Sequence, residues 1–335
     1  MKAVVHTRYG SPDDVLAVRE IATPPIGDDD VLVRVRAASI HPDVWHVVIG
    51  IPYVLRLMGN GVRAPKHQVP GSDLAGVIEA IGRNVTRFSI GDEVFGECAM
   101  AWRNGGAFAE RTAVREDRLA LKPANVTFEQ AASVGTSGFI ALTNLRPERI
   151  GPGHAILING AGGNVGSLAL QIARARGAHV TAVDHTRRLP LLRSLGADRV
   201  LDYTTDNVLQ RPERYDLVFD VASTLSLDAC ADILTPAGRY TVIGHARFST
   251  AHGRVLGDIP RMLGLVVRAS VGHPHLPKPD FNIPGRREVM ETLRQLMASG
   301  TITPVVARTF PLGGVPDAIR CMQDGFVAGR IVITP

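Results

Sequence analysis

The stretch HAILINGAGGNVG at residues 154–166 decides the fold of this chain. Its apolar run at 155–158 ends at Asn159 and gives way to a turn that carries glycines at positions 160, 162, 163 and 166. The residues that follow, SLALQIARARG, have the apolar spacing of a helix that packs on a sheet. Glycines let the backbone turn sharply and approach a pyrophosphate closely, and the helix N-terminus attracts the phosphate charge. The stretch therefore predicts a strand, a turn and a helix that hold a dinucleotide.

A second strand after this helix supports that interpretation. Residues 178–183 read as a strand, and Asp184 follows directly. This position is close to the offset of about 20 residues at which an acidic residue binds the adenosine ribose. A glycine-rich turn alone is weak evidence, so the strand before it and the helix after it distinguish this turn from a purely structural one.

The segment 126–270 alternates strand and helix patterns around this motif. Its six strand candidates are AILIN, HVTAV, RVLDY, YDLVFDV, GRYTVIG and LVVRAS. Strands separated by helices in this way predict a Rossmann domain with a doubly wound parallel sheet.

The segments on either side have other patterns. Residues 1–125 are rich in strands, and VLVRVRAASI at 31–40 alternates apolar and polar residues with period two, which predicts a compact antiparallel β domain. Residues 271–335 hold a helix, a strand, a second helix and a final strand. Because the nucleotide fold is complete before them, we expect this last segment to return to the first domain.

Length and composition agree with a two-domain globular protein. A chain of 335 residues is too long for one ordinary core, and 45% apolar with 21% charged residues is typical of a soluble protein. The opening MKAVVHTRYG lacks the features of a signal peptide, and no window is long enough to span a membrane, so a cytoplasmic location is expected. Cys98, Cys230 and Cys321 match no disulfide or zinc-knuckle spacing, which fits a reducing compartment.

The formal net charge is +5, which suits either nucleic acid or an anionic small molecule. Arginine and lysine are scattered along the chain, with no basic run and no interleaved aromatic residues, so no nucleic-acid partner is expected. A basic surface for an anionic cofactor is the simpler interpretation.

Five motifs spread over the chain resemble one known family. They are VPGSDLAGVIEAIG at 69–82, FSIGDEVFG at 88–96, NGAGGNVG at 159–166, LGADRVLDY at 195–203 and AGRIVI at 328–333. In this order they are similar to the medium-chain dehydrogenase/reductase superfamily, and specifically to its zinc-free quinone-oxidoreductase-like branch. The resemblance implies an α/β fold, with a GroES-like β-rich catalytic domain that is discontinuous in sequence and a Rossmann domain that binds NAD(P).

Zinc-dependent members of this superfamily carry metal ligands near three positions of this sequence. Where they have a Cys, a Gly-His-Glu and a third Cys or acidic residue, this chain has His41, Gly71-Ser72-Asp73 and Ser133. Catalytic zinc needs three protein ligands chosen from Cys, His and Asp or Glu, and serine is a poor substitute. The sequence therefore predicts that no zinc is bound. Without a Lewis acid, hydrogen bonds must stabilise charge on the substrate oxygen, which favours hydride transfer to a quinone or an α,β-unsaturated carbonyl.

Candidate hydrogen-bond donors lie in SIHPDVWHVVIGIPY, residues 39–53. Relatives show Asn-Pro-x-Asp where this chain begins with His41, so the role of the family's asparagine does not carry over directly. His41 either gives a hydrogen bond or proton to the substrate carbonyl, with Asp43 or a backbone group setting its tautomer, or is a buried polar residue satisfied by its neighbours. His46 is near the proton-relay histidine of zinc-dependent relatives, or is a surface partner of Trp45.

Tyr53 resembles a tyrosine that lines the substrate cleft of quinone reductases. Its phenol is a candidate donor or π platform, and plain packing is the alternative. Ser72 and Asp73 are expected to form a polar wall of the substrate cleft rather than to bind a metal.

The choice between NADPH and NADH depends on neighbouring residues of opposite charge. Asp184 can accept both ribose hydroxyls of NADH and would repel a 2′-phosphate, whereas Arg187 and Arg188 could bind that phosphate or simply begin an exposed helix. Resemblance to the zinc-free branch favours NADPH. Other cofactor contacts expected by motif match are Thr136, Gly162, Gly163, Asn164, Val165, Tyr203, Val221, Gly244 and Arg330.

Three hypotheses about function follow from the sequence. The first is a zinc-independent NAD(P)H-dependent reductase of quinones or enones. The second is an alcohol dehydrogenase or carbonyl reductase on the same fold, and the third is a nucleotide-binding regulatory protein without catalysis. A homodimer is expected through a sheet-edge strand at 265–270, because an exposed apolar edge invites pairing and family members pair this strand.

Overall fold

The computed structural model of the protein describes residues 1–98, 105–146, 150–243, 254–277, 284–325 and 327–335. The strands are β1 (Lys2–Val5), β2 (Ala17–Glu20), β3 (Asp30–Ser39), β4 (Asp73–Ile81), β5 (Glu93–Glu97), β6 (Arg111–Arg115), β7 (Leu119–Leu121), β8 (Ala155–Asn159), β9 (His179–Asp184), β10 (Arg199–Asp202), β11 (Tyr215–Asp220), β12 (Leu234–Val242), β13 (Val306–Pro311) and β14 (Arg330–Thr334). The helices are α1 (Pro12–Val15), α2 (Pro42–Ile49), α3 (Phe128–Ala132), α4 (Gly135–Asn144), α5 (Asn164–Ala175), α6 (Leu189–Ser194), α7 (Leu227–Cys230), α8 (Ile259–Ser270), α9 (Arg286–Ala298) and α10 (Val315–Gln323).

The chain forms two compact units, the first made of residues 1–139 with 285–335 and the second of 140–284. The sequence placed the corresponding boundaries earlier, at 125/126 and 270/271. Helix α3 lies in the first unit and packs on strands β3, β4 and β5. Within the described residues, no helix is long and apolar enough to cross a membrane.

The first unit is built on a mixed sheet with the order β13-β14-β3-β4-β5-β7, and β6 pairs with β3. Its core is formed by inward-facing side chains of these strands, among them Val33, Leu74 and Val94. The register places Ser39 opposite Asp73 and Asp73 opposite Glu97. Three polar residues therefore form one row across strands β3, β4 and β5.

The second unit contains a parallel sheet with the order β10-β9-β8-β11-β12. In chain order this is 3-2-1-4-5, the arrangement of a Rossmann domain. The predicted α/β fold, with a β-rich first unit and a Rossmann-type parallel sheet in the second, is thus confirmed. Apolar β-branched and leucine residues in β8 are fully buried, which is typical of a strand covered on both faces.

The sixth strand predicted from LVVRAS at 265–270 is wrong, because these residues belong to helix α8. Three apolar residues, Ile259, Leu263 and Val267, recur at the four-residue spacing of a helix face, and the short run alone is ambiguous between strand and helix. The homodimer prediction used this segment as a sheet edge. It remains a prediction, without that edge strand as its basis.

Candidate active site

The glycine-rich turn lies where the strand order of the parallel sheet reverses. Strand β8 pairs with β9 on one side and β11 on the other, and Asn159 at its end is in register with Asp220. Ligands of such sheets bind outside the carboxyl ends of the strands at this point of reversal. The structure therefore places the predicted turn at the position where a Rossmann domain binds its cofactor.

Close approach explains the glycines of the turn. Gly160 has a φ of 82°, and a Cβ there would meet the Cβ of Ala222 at 3.0 Å. A Cβ at Gly162 would meet the Cδ of Arg188 at 2.6 Å. A Cβ at Gly163, by contrast, would meet the carbonyl oxygen of Gly160 at 3.5 Å, an ordinary van der Waals contact.

The open side of the turn fits a pyrophosphate. Gly163 is the N-cap of helix α5 and supplies no capping side chain, so no cap covers the first turn of the helix. Backbone N–H groups at a helix start, together with the helix dipole, bind phosphate oxygens. Asn164 and Val165 are the first residues of this helix, and Asn164 is buried. The described residues therefore fit the phosphates of a dinucleotide cofactor.

Asp184 is already engaged by the protein. Its carboxylate accepts hydrogen bonds from the backbone N–H of Gly162 at 2.7 Å and of His185 at 2.8 Å. The Nη1 atom of Arg188 lies 3.2 Å from the same carboxylate, whose residue is only 4% exposed. Asp184 therefore fixes the glycine turn, and Arg188 compensates its negative charge.

The other predicted cofactor residues of the second unit surround this group. Arg187 is exposed beside Arg188. The exposed ring of Tyr203 lies 6.0 Å from the ring of His185. Val221 follows β11 and donates its N–H to the carbonyl of Asn159 at 2.9 Å. Gly244 lies outside the described residues.

A buried polar cluster occupies the row of Ser39, Asp73 and Glu97 in the first unit. Thr136 donates its hydroxyl to Asp73 Oδ1 at 2.5 Å, and its Oγ1 lies 3.3 Å from Glu97 Oε2. Arg330, from β14, reaches the Ser39 hydroxyl at 3.2 Å and Asp73 Oδ2 at 3.4 Å. Thr136 and Arg330 were predicted as cofactor contacts, and this contact stays a prediction. In the structure both residues hold Asp73.

Glu97 and Arg286 belong to the same cluster, and the sequence did not indicate either of them. Arg286 Nη1 lies 2.5 Å from Glu97 Oε1, and its guanidinium stacks on the ring of Phe139 at 3.6 Å. Burial raises the pKa of Glu97 to about 7, against the opposing charge of Arg286. The two residues are 189 positions apart (286 − 97), so only strand register and helix packing bring them together.

The residues at the zinc-ligand positions do not fit zinc. Asp73 is occupied by Thr136 and Arg330, and the Ser133 hydroxyl donates to the carbonyl of Gln130 at 2.7 Å. The Sγ of Cys98 lies 3.0 Å from the carbonyl oxygen of Ser72, and burial raises the pKa of this thiol. Over the part of the chain that the structure describes, no group of three metal-ligating side chains is assembled.

His41 caps helix α2 and is buried. Its Nδ1 accepts from the N–H of Asp43 at 3.3 Å and lies 3.2 Å from Asp43 Oδ2. When Nδ1 accepts, the proton of the neutral ring is on Nε2, which can then donate. The backbone N–H and the carboxylate of Asp43 thus both lie at Nδ1, and the donor role of His41 stays a prediction.

His46 is buried rather than a surface partner of Trp45, although the two rings are in contact at 4.6 Å. Its Nδ1 is 2.9 Å from the carbonyl oxygen of Ile51, which can only accept, so this nitrogen carries the proton. Burial lowers the pKa of His46, so the ring is neutral near pH 7 and its Nε2 cannot donate. His46 therefore fixes the turn that leads to Tyr53.

Tyr53 is 44% exposed, in contrast to the two histidines. The guanidinium of Arg56 lies over its ring at 4.8 Å and over the ring of Tyr9 at 4.3 Å. Arg56 is itself held by a hydrogen bond to the carbonyl of Gly50 at 2.8 Å. Tyr53 is thus presented at the surface of the first unit with a cation on its π face.

Comparisons with known proteins agree with this architecture. A family model described as alcohol dehydrogenase GroES-like domain matches residues 27–124, and one described as zinc-binding dehydrogenase matches 195–333. A solved structure of the quinone oxidoreductase from Coxiella burnetii has a TM-score of 0.81 and 25% identity, covering 100% of this chain and 99% of that one.

Curated relatives match over the whole length. The NADPH-dependent alkenal/one oxidoreductase, chloroplastic, of Arabidopsis thaliana is 32% identical over 346 residues, which covers 100% of this chain and 80% of that protein. The 2-methylene-furan-3-one reductase of Solanum lycopersicum is 30% identical over 343 residues, which covers 100% and 79% respectively. Together with the fold and the glycine turn, these matches show that the chain is an oxidoreductase that belongs to the medium-chain dehydrogenase/reductase superfamily, in its quinone-oxidoreductase-like branch.

Proposed function

We propose that this protein transfers a hydride from NADPH to a quinone or an α,β-unsaturated carbonyl. The observation that carries this proposal is the similarity to an NADPH-dependent alkenal/one oxidoreductase, at 32% identity over the whole of this chain and 80% of that protein. The site residues support it, because the positions that hold zinc in zinc-dependent relatives are committed to other partners here. Conjugation in an enone or quinone spreads the negative charge that a Lewis acid would otherwise stabilise.

The pairing of Asp184 with Arg188 supports NADPH over NADH. An acidic residue at this position normally accepts the ribose hydroxyls and repels a 2′-phosphate. Here the Asp184 carboxylate already accepts hydrogen bonds from the N–H groups of Gly162 and His185 and pairs with Arg188. Arg187 adds positive charge beside it. Bound NADPH supplies the hydride. The residues of this chain hold its phosphates and adenosine ribose.

Two residues of the segment 39–53 are candidates for stabilising the substrate oxygen. Tyr53 presents an exposed phenol, and the guanidinium of Arg56 lies over its ring. His41 has an Nε2 proton in the tautomer that its cap geometry favours. We favour Tyr53, because His41 is buried and already caps α2. His46 acts by positioning the turn before Tyr53 and is not a proton donor.

A substrate panel on metal-analysed protein tests this proposal. NADPH and NADH oxidation should be followed with quinones, enones, saturated aldehydes and alcohols. We expect NADPH-dependent turnover of quinones or enones, no stoichiometric zinc and full activity in a chelator. Alcohol-dependent NAD(P) reduction that is lost together with one zinc per chain would instead indicate an alcohol dehydrogenase. Tight NADPH binding without turnover over the whole panel would indicate a regulatory protein.

A homodimer is also proposed, from the resemblance to family members that pair, and a cytoplasmic location is proposed from the sequence. Light scattering at micromolar concentration tests the first and fractionation of the source cells the second. A monomeric mass, or the protein in an organelle fraction, would contradict them.

A further inference from the structure

Ser223 has a φ of 61° and is the single non-glycine residue with positive φ in the described parts of the chain. It lies in the turn that follows β11, at the point where the strand order of the Rossmann sheet reverses. A residue other than glycine in this backbone region costs free energy and persists only when its surroundings hold it there. Contacts of the Ser223 turn must therefore stabilise this conformation.

This turn forms one wall of the glycine-rich turn. The N–H groups of Val221 and Ala222 donate to the carbonyl of Asn159 at 2.9 and 3.1 Å. Ala222 also packs so closely on Gly160 that a Cβ on the glycine would meet its backbone nitrogen at 3.0 Å. A shift of the Ser223 turn would thus move the residues against which the cofactor-binding turn is packed.

Arg261, in the first turn of helix α8, holds the Ser223 turn with both ends of its guanidinium. Nη1 donates to the Ser223 carbonyl at 3.1 Å and to its hydroxyl at 2.8 Å. Nη2 donates to the Leu225 carbonyl at 2.6 Å and to the Tyr240 hydroxyl at 3.2 Å. These contacts hold Ser223 itself and the residue two positions after it, through two nitrogens of one rigid planar guanidinium that a lysine ammonium lacks.

The partners of Arg261 are themselves fixed. Buried Asp220 accepts hydrogen bonds from Asn159 Nδ2 at 2.7 Å, from the N–H of Leu225 at 2.9 Å and from the Tyr240 hydroxyl at 3.1 Å. Through Asn159 this network reaches the end of β8, where the glycine turn begins. Arg261 is the member of the network that comes from α8, outside the sheet.

We infer that Arg261 is a positioning residue for the cofactor site, which keeps Ser223 in the left-handed conformation and so fixes the wall of the glycine turn. This inference rests on the proposed function in one respect, that NADPH is the ligand of the turn. Arg261 acts through Ser223, and its role concerns cofactor affinity rather than the stability of the fold.

NADPH binding measured by fluorescence titration tests this inference without any substrate. Replacing Arg261 by Met should raise the Kd for NADPH about tenfold, which corresponds to about 1.4 kcal/mol. Adding Ser223→Gly to Arg261→Met should restore most of the lost affinity, because glycine adopts positive φ without strain. Arg268→Met is the matched control. It lies on the same helix and pairs with Asp228 on the surface, and its Kd should equal that of the wild type.

The outcomes are distinguishable. If the wild type binds NADPH and folded Arg261→Met binds it equally well, or if Ser223→Gly restores no affinity to folded Arg261→Met, the inference is wrong. A variant with a lower Tm but an unchanged Kd would likewise show a purely structural role. If Arg261→Met does not fold, Arg261→Lys replaces it with the same expectations. If the wild type itself binds no NADPH, the proposed cofactor is wrong.

Discussion

The Nη1 atom of Arg188 lies 3.2 Å from Oδ1 and 3.3 Å from Oδ2 of Asp184, which is four residues earlier in the chain and ends strand β9. An acidic residue at position 184 would select NADH, and an arginine nearby would select NADPH. In this protein the two side chains form an ion pair with each other. A carboxylate that is paired with an arginine and accepts two backbone N–H groups repels a nearby phosphate less.

Replacing Arg188 by Ala should leave the Asp184 charge uncompensated and remove a cation near the 2′-phosphate. A contact to a charged group contributes about 1.5–3 kcal/mol, so we expect the NADPH KM to rise at least about tenfold. The double variant Arg187→Ala with Arg188→Ala should raise it further, while the NADH KM changes little. Steady-state kinetics with both cofactors measure this. If the arginine variants resemble the wild type and only Asp184→Ser alters the preference, Asp184 dominates and the preference assigned here is reversed.

Replacing Gly163 by Val should weaken cofactor binding while the protein stays folded. The space over Gly163 is open, so the fold tolerates a side chain there, but the side chain would occupy the region next to the phosphates. We expect a Kd for NADPH at least about a hundredfold higher, or about 2.7 kcal/mol. Gly151→Val is a suitable control, because no atom of the described residues lies within 4 Å of a Cβ at that position and Gly151 precedes β8 instead of following it. Equal affinity of wild type and Gly163→Val would show that the phosphates bind elsewhere.

Removing the Tyr53 hydroxyl distinguishes Tyr53 from His41 as the hydrogen-bond donor to the substrate oxygen. Tyr53→Phe keeps the ring under Arg56 and should lower kcat without changing the NADPH KM, since only a contact to the substrate oxygen in the transition state is lost. His41→Ala serves as the comparison. A kcat that is unchanged in Tyr53→Phe and strongly reduced in His41→Ala would transfer the donor role to His41.

Glu97 makes the stability of the first unit depend on pH. Burial raises its pKa from 4.5 to about 7 in the folded state, so the folded protein binds this proton more tightly than the unfolded chain does. The stabilising contribution is fully present below the unfolded pKa and is lost as pH rises through about 7. Glu97→Gln cannot titrate. The free energy of unfolding of Glu97→Gln minus that of the wild type should therefore be about 2–3 kcal/mol larger at pH 8.5 than at pH 4.5.

Urea denaturation at several pH values measures this difference. Glu93→Gln is the matched control, because Glu93 lies on the same strand with a half-exposed side chain that pairs with Lys122. Parallel pH profiles for Glu97→Gln and wild type would show that Glu97 titrates normally.

Local sequence patterns predicted the parts of this protein that depend on neighbouring residues. The strand, glycine turn and helix at 155–175, and the strand that ends in Asp184, form as their periodicity and spacing indicated. The strand prediction for residues 265–270 is wrong because the few apolar residues of this run fit the period of a strand as well as that of a helix. The helical repeat becomes clear only when Ile259 and Leu263 are included.

Contacts between distant segments could not be predicted in the same way. The pairing of Glu97 with Arg286 and of Asp73 with Arg330 depends on the register of three or more strands and on helix packing. The burial of His46 depends on the turn at Ile51, whose carbonyl fixes its tautomer. No residue spacing in the sequence encodes such contacts.

Isotope transfer tests the central claim most directly. NADPH that carries deuterium at both hydrogen positions of the nicotinamide C4 is incubated with the protein and an enone, and the product is analysed by mass spectrometry and NMR. We predict one deuterium at the β-carbon of a saturated ketone for each NADPH consumed, because the hydride adds to the conjugated carbon and the proton is supplied separately. Deuterium on the carbinol carbon of an allylic alcohol, or a product without deuterium, would contradict the account.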